Sequence, residues 1–124
     1  MPSRPIRVLI ADDHRLFAEA LEAILAAEPE IEVVGFARDG EQAVERALAL
    51  KPDVILMDIA MPGLDGVEAT KRIRKKHMRA CVLMLTGSNS RSVVARAREA
   101  GAAGYVTKDK IAAQLIEAIR EVAA

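Results

Sequence analysis

The run Val54-Ile55-Leu56-Met57, which Asp58 follows directly, decides the fold class of this chain. No polar residue interrupts the run, which is typical of a strand that is covered on both faces of a sheet. The chain contains four further short apolar runs: Ile6 to Ala11, Ile31 to Ala37, Cys81 to Leu85 and Gly104 to Val106. We therefore expect five strands, of which the first, third and fourth are covered on both faces.

Longer stretches with a helical spacing of apolar residues separate these runs. The stripe of the first predicted helix comprises Leu16, Phe17, Ala20, Leu21, Ile24 and Leu25. The other helices are marked by Ala43 to Leu48, Val67 to Lys75, Ser90 to Ala100 and Ile111 to Val122. Gly101 suits the position just after the fourth helix. Five strand–helix repeats predict one doubly wound α/β domain over residues 1–124, with a five-stranded parallel sheet of order 2-1-3-4-5.

The composition excludes several classes of function. Eighteen basic and eighteen acidic residues give no net charge, which argues against a strong hold on nucleic acid or a membrane surface. Two Phe and one Tyr provide no platform on which bases could stack. The single cysteine, Cys81, excludes an internal disulfide and a cysteine zinc site, and we expect its thiol to be buried. No apolar stretch approaches roughly 18 residues and no signal-peptide core begins the chain, so we expect a cytoplasmic protein.

Polar side chains follow the predicted strands. Asp12 and Asp13 follow the first strand, Asp58 the third, Thr86 the fourth and Lys108 the fifth. Because the carboxyl ends of parallel strands open on one edge, these groups should converge where the strand order reverses. Three adjacent carboxylates repel one another unless a cation or proton intervenes, and oxygen ligands suit Mg²⁺. A metal, a lysine and a hydroxyl around one carboxylate predict a site that handles phosphoryl groups, with Asp58 as its nucleophile.

Other phosphate chemistries lack their motifs in this chain. No Gly-x4-Gly-Lys-Ser/Thr loop is present, and no Gly-x-Gly-x-x-Gly motif follows the first strand. A metal-dependent phosphatase is an alternative hypothesis from the enzyme class. Ala60 argues against it, because a phosphatase with two paired aspartates would place an acid two residues after the nucleophile.

The order of these motifs resembles the receiver domains of two-component response regulators. The matching segments are Asp12-Asp13, Leu56 to Gly66, Thr86 and Tyr105-Val106-Thr107-Lys108, within a resemblance that runs from Ile6 to about Val122. It implies the flavodoxin-like, CheY-like receiver fold. It also implies that a sensor histidine kinase transfers a phosphoryl group to Asp58, so that the domain is a phosphoacceptor with slow chemistry of its own rather than an enzyme.

The same resemblance implies roles for the other residues around Asp58. Mg²⁺ would be held by Asp13 directly, by Asp12 largely through water, and by Asp58 and the backbone carbonyl of Ala60. Lys108 would pair with one phosphoryl oxygen. Thr86 would form a hydrogen bond with another, and the rotamer of Tyr105 would change with it.

Three segments are most similar to the NarL/LuxR subfamily, whose receivers precede a helix-turn-helix DNA-binding domain. They are Asp13-His14, Met61 to Ala69 and Gly104 to Asp109. This similarity implies control of a transcriptional output domain that lies outside these residues, contact with DNA only through that domain, and homodimer formation on phosphorylation. The alternative is a stand-alone receiver that signals by contact with a partner protein.

Several polar residues near these motifs have a simpler structural role. Asp12 and Asp13 can equally cap the first helix. We expect His14 to be an exposed residue of the first turn rather than a ligand, because Mg²⁺ seldom binds imidazole. Asp65 is expected to cap a helix or accept a hydrogen bond in a turn, and His77 to lie in a surface turn.

Overall fold

The computed structural model describes residues 4–76, 79–87 and 91–124. Within them, strands and helices alternate: β1 (Ile6–Ala11), α1 (Arg15–Ala26), β2 (Ile31–Ala37), α2 (Gly40–Leu50), β3 (Val54–Asp58), α3 (Gly66–Lys76), β4 (Cys81–Thr86), α4 (Arg91–Glu99), β5 (Gly104–Thr107) and α5 (Ile111–Ala123). A short 3₁₀ helix, Lys108–Lys110, joins β5 to α5. The predicted start of the fourth helix at Ser90 and the predicted turn at His77 lie outside the described residues.

The sheet has the predicted order, β2-β1-β3-β4-β5, and its strands pair in parallel. In the register, Ala11 lies opposite Met57, and Asp58 lies opposite Leu85. The carboxyl ends of the three central strands are therefore level with one another. The predicted doubly wound α/β fold is confirmed.

Helices cover both faces of the sheet, so the core has two halves. Ile10 and Leu56 pack under α1 and α5, whereas Leu9 and Met57 pack under α2, α3 and α4. Neighbouring residues of a strand point to opposite faces, which explains how one apolar run supplies both halves. Val54–Met57 is fully buried, as expected for a strand covered on both faces.

The predicted apolar stripe of α1 is partly wrong. The helix buries Ala18, Leu21 and Leu25, whereas Leu16 is 81% exposed and Ala20 is also exposed. Each residue advances a helix by about 100°, so Leu16, two positions before Ala18, points almost to the opposite side.

Within the described residues, no helix is long and apolar enough to cross a lipid bilayer.

Gly101 ends α4 as predicted. Its φ of 101° lies in the left-handed region, its N–H donates to the carbonyl of Arg98, and the N–H of Ala102 donates to the carbonyl of Ala97. These two hydrogen bonds form a Schellman motif, which satisfies the last carbonyls of the helix. Two smaller expectations are wrong: Leu48 on α2 is 39% exposed, and Cys81 at the start of β4 is only partly buried.

Candidate functional site

Asp12 and Asp58 lie side by side at the carboxyl edge of the sheet. Asp58 is the last residue of β3, and Asp12 directly follows β1, the neighbouring strand. Both continue the face on which α1 and α5 pack, since they alternate with Ala11 and Met57. Each is only 2% exposed. The fold thus holds two carboxylates together with almost no contact with solvent.

Lys108 reaches these carboxylates from the end of β5, two strands away from β3. Its Nζ lies 3.3 Å from Oδ2 of Asp58 and 3.8 Å from Oδ2 of Asp12. The same Nζ lies 4.6 Å from the centroid of the Phe17 ring on α1. An aromatic face attracts a cation at this distance, so Phe17 helps to keep the ammonium over the site.

Asp13 and His14 complete the cluster at the start of α1. His14 occupies the N-cap position, and its backbone N–H donates to Oδ1 of Asp12 at 2.8 Å. The expectation that Asp12 or Asp13 occupies the cap position is therefore wrong, although Asp12 does accept a hydrogen bond from the cap residue. The imidazole of His14 is exposed, as expected, but its Nδ1 lies 3.3 Å from Oδ1 of Asp13 and 3.5 Å from Oδ1 of Asp12.

This cluster has the donor atoms of a metal site. Ligand atoms of Asp12, Asp13, His14 and Asp58 lie within 4.8 Å of one another. Oδ2 of Asp12 and Oδ1 of Asp13 are buried without a hydrogen-bond partner. A buried carboxylate oxygen without a donor is costly, and a dication is a partner that satisfies several such oxygens at once. The residues present therefore fit a hard dication.

Opposing electrostatic effects act on the pKa of the Asp58 carboxyl group. Burial raises the pKa of Asp58 above its ordinary value, and the nearby carboxylate of Asp12 raises it further. The ammonium of Lys108 and the N–H of Ala60, which donates to Oδ1 at 3.2 Å, act in the opposite direction. The ionised form of Asp58 therefore depends on Lys108, on this N–H and on any bound cation.

The loop after Asp58 is packed tightly against the strand end. The N–H of Ile59 donates to the carbonyl of Leu85, and the N–H of Gly66 donates to the carbonyl of Ile59. A Cβ atom on Gly66 would lie 2.3 Å from the carbonyl oxygen of Asp58, so only glycine fits there. Asp65 accepts a hydrogen bond from the N–H of Glu68 at the start of α3, as predicted.

Thr86 and Tyr105 lie on the other face of the sheet edge. Thr86 pairs with Thr107 and Met84 pairs with Tyr105, so Thr86 and Tyr105 are diagonal neighbours on the same face. Thr86 is buried, whereas Tyr105 is 38% exposed. The structure thus brings the predicted pair together, while Lys108 and the carboxylates lie on the face of α1 and α5.

Two contacts of the site did not emerge from the sequence. The spacing of apolar residues indicates only that Phe17 belongs to a helix stripe, whereas its contact with Lys108 joins residues that are far apart in the chain. The weak binding of imidazole by Mg²⁺ argues against His14 as a ligand, yet the structure brings its Nδ1 to the carboxylates. The signal that pointed to it was its position directly after two aspartates.

Comparisons with known proteins converge on one family. The family model described as "Response regulator receiver domain" matches residues 8–120. The transcriptional regulatory protein DegU of Brevibacillus brevis is 47% identical over 118 residues, which cover 95% of this chain and 50% of DegU. The chain thus spans about half the length of the curated relatives that it matches.

Solved structures agree in fold. The signal receiver domain of a NarL response regulator from Mycobacterium tuberculosis superposes with a TM-score of 0.93 at 34% identity and covers 98% of both chains. A complex of CheX and CheY with BeF₃ and magnesium from Borrelia burgdorferi matches with a TM-score of 0.90 at 26% identity, covering 98% of this chain and 91% of the matched one.

Proposed function

Because this chain belongs to the receiver-domain family of two-component response regulators, we propose that Asp58 is its phosphoacceptor. A carboxylate oxygen of Asp58 would attack the phosphorus of a phosphohistidine on a sensor histidine kinase. The new O–P bond forms as the N–P bond breaks, and the leaving imidazole takes up a proton. The product is an aspartyl phosphate, which the receiver then hydrolyses slowly.

The observation that carries this proposal is the contact between Lys108 and Asp58. The ammonium lies 3.3 Å from Oδ2 of a carboxylate that is otherwise almost completely buried. A positive charge fixed there favours the ionised nucleophile and can neutralise the oxygens of an incoming phosphoryl group. Phe17 and Asp12 also contact the ammonium group, so Lys108 is already in position for both roles.

We propose Mg²⁺ as the cation of the site. The buried oxygens of Asp12 and Asp13 that lack hydrogen bonds support this assignment, as does the magnesium named in the related CheY complex. Asp13 and Asp58 would bind it directly, Asp12 largely through water, and Ala60 through its carbonyl. The ion would supply positive charge to the phosphoryl oxygens.

The signal would leave the site through Thr86 and Tyr105. Thr86 would donate a hydrogen bond to a phosphoryl oxygen, and Tyr105, its diagonal neighbour, would change rotamer with it. Tyr105 belongs to β5 and Thr86 ends the neighbouring strand β4, so the altered surface would comprise α4, β5 and α5. The receiver would thus be a two-state element whose populations the phosphoryl group shifts.

The partner that reads this surface would be a DNA-binding output domain in the same protein. The transcriptional name of DegU and the half-length match to it support this assignment. Contact with DNA would then occur through the output domain, phosphorylation would favour a homodimer, and the exchange with the kinase would take place in the cytoplasm. Reading the gene beyond the codon of Ala124 tests this part. A helix-turn-helix region would support it, and a stop codon would support a stand-alone receiver.

Phosphorylation itself can be tested with a small donor. Incubation with acetyl phosphate and Mg²⁺ should add one phosphoryl group to the intact chain, measured by mass spectrometry. Asp58→Asn should abolish the addition. Asp109→Asn, an exposed acid next to Lys108, is the matched control and should be labelled like the wild type. Full labelling of Asp58→Asn would refute the assignment of the acceptor.

A further inference from the structure

His14 is held at the metal cluster by its own backbone. Its N–H donates to Oδ1 of Asp12 at 2.8 Å, which fixes the residue beside the carboxylate that it contacts through its side chain. Its Nδ1 then lies 3.3 Å from Oδ1 of Asp13 and 3.5 Å from Oδ1 of Asp12. Nδ1 of the imidazole thus faces the carboxylates of the cluster, although most of the side chain is exposed to solvent.

These distances are those between neighbouring ligands of one metal ion. Bonds of about 2.0–2.2 Å from a zinc-like ion to nitrogen and oxygen place adjacent ligand atoms about 3.0–3.5 Å apart, depending on the angle between them. The contacts of Nδ1 with the two aspartates fall in this interval. All four candidate ligand atoms, including one from Asp58, lie within 4.8 Å of one another.

Charge pairing between His14 and the aspartates explains the buried carboxylate oxygens less well than a bound metal ion does. Oδ1 of Asp13 has no hydrogen-bond partner although Nδ1 of His14 is 3.3 Å away, so this contact is not a hydrogen bond. Oδ2 of Asp12, in a side chain with no exposed surface, also has none. The ammonium of Lys108 lies 3.8 Å from Oδ2 of Asp12, which is too far for a hydrogen bond. A metal ion between the four groups would give both oxygens a direct partner at once.

We infer that His14 is a metal ligand through Nδ1 and that the cluster is a mixed nitrogen–oxygen site. This inference rests on the metal site of the proposed function and extends its ligand set. Imidazole binds first-row transition dications such as Zn²⁺ and Co²⁺ well and Mg²⁺ poorly. The site therefore takes such ions in addition to Mg²⁺, and His14 sets the preference between the two classes.

Calorimetry with Zn²⁺ alone and with Mg²⁺ alone tests this preference, in buffer alkaline enough to keep imidazole neutral. His14→Gln should lower the ratio of Zn²⁺ affinity to Mg²⁺ affinity at least about tenfold, the smallest loss expected for a group that supports a metal. The chain has two histidines, so His77→Gln is the matched control and should keep the wild-type ratio. An unchanged ratio in His14→Gln overturns the inference.

Proton NMR of the Co²⁺-loaded chain provides a second test of whether His14 binds the metal. A ligated imidazole keeps its other N–H, which should give one strongly shifted, exchangeable resonance. This resonance should vanish in His14→Gln and persist in His77→Gln; the reverse result overturns the inference. It should also vanish in Asp13→Ala, and its survival there would overturn the shared site of His14 and Asp13.

The outcomes separate this inference from the proposed function. Wild-type binding of Mg²⁺ and labelling of Asp58, together with a Zn²⁺ to Mg²⁺ ratio that His14→Gln does not change, would reject the ligand role of His14 and leave the phosphoacceptor assignment intact. A wild-type chain that binds neither ion would contradict the metal site itself, and with it this inference.

Discussion

Nζ of Lys108 lies 3.3 Å from Oδ2 of Asp58, although 50 residues separate the two along the chain. Parallel pairing makes this contact, because β3, β4 and β5 all end at the same edge of the sheet. Lys108 begins the turn after β5, so its long side chain can cross the end of β4 to the buried carboxylate. The fold thereby converts a distant basic residue into the main counter-charge of Asp58.

Lys108→Met should slow phosphorylation of Asp58 by acetyl phosphate. The variant keeps the length of the side chain but removes the charge that stabilises phosphoryl oxygens, and losing one such group typically lowers a rate about 10²–10³-fold. The rate is measured by intact-mass labelling in saturating Mg²⁺. Lys110→Met, an exposed lysine of the same 3₁₀ helix, should react at the wild-type rate. Equal rates for the two variants would remove Lys108 from the reaction.

Asp58→Asn should stabilise the metal-free protein at neutral pH. Burial and Asp12 raise the pKa of Asp58, so the folded state is stabilised by its protonated form and loses that contribution as pH rises. Below the ordinary aspartate pKa of about 3.9, Asp58 is protonated in both the folded and the unfolded state. At such pH values the lack of charge in Asp58→Asn should not raise the free energy of unfolding. The gain should appear as pH rises through the raised pKa and then stay constant.

Urea unfolding in the presence of a chelator, at a series of pH values, measures this difference. Asp109→Asn, whose side chain is exposed, should show little change across the series. A variant Asp58→Asn that is less stable than the wild type at neutral pH would show that the pairing with Lys108 outweighs burial and Asp12.

Asp13→Ala should weaken Mg²⁺ binding at least about tenfold, since losing even a group behind a ligand has this effect. The metal-free variant should be no less stable than the wild type, because it loses a carboxylate that repels Asp12. Calorimetry measures the affinity, and Asp109→Ala is the control outside the cluster. Mg²⁺ affinity equal to that of the wild type would exclude Asp13 as a ligand.

The fold could be predicted from the sequence because the apolar runs, the helical spacing between them and the position of Gly101 are local signals that agree with one another. It also placed Asp12, Asp58, Thr86 and Lys108 at one edge, since topology alone brings strand ends together. It did not predict which side of α1 is buried: Leu16 and Phe17 are both apolar, and only the packing against the sheet leaves Leu16 in solvent. The contacts of Phe17 and His14 depend on side-chain directions that no spacing encodes.

Gly66→Ala should destabilise the protein by about 1–3 kcal/mol, the usual cost of forcing extra volume into a packed region. The new Cβ would lie 2.3 Å from the carbonyl oxygen of Asp58, so the loop beside the acceptor must shift. Urea unfolding measures the loss. Gly87→Ala is the matched control, since a Cβ there meets nothing within 4 Å, and its effect should stay within about 0.5 kcal/mol. Equal stability of the two variants would contradict the close approach.

Thr86→Ala should separate phosphorylation from switching. Thr86 is buried at the end of β4 and has no carboxylate that could accept the phosphoryl group, so the variant should still be labelled at Asp58. Without the hydroxyl, a phosphoryl oxygen loses the donor that draws the end of β4 toward it. Tyr105, on the same face as Thr86, should then keep its rotamer. The measurement is the change in amide chemical shifts of residues 91–122 on addition of beryllofluoride, a stable mimic of the phosphoryl group.

In the wild type these shifts should change along α4, β5 and α5, and in Thr86→Ala the changes should be confined to the neighbourhood of Asp58. Thr107→Ala is the matched control, because Thr107 pairs with Thr86 on the next strand and carries the same hydroxyl but has no proposed hydrogen bond with the phosphoryl group. It should respond like the wild type. If Thr86→Ala shows the full wild-type set of changes, the hydroxyl of Thr86 does not connect Asp58 to the surface of α4, β5 and α5. The signal would then leave through another element that contacts Asp58, such as the 3₁₀ turn that begins with Lys108.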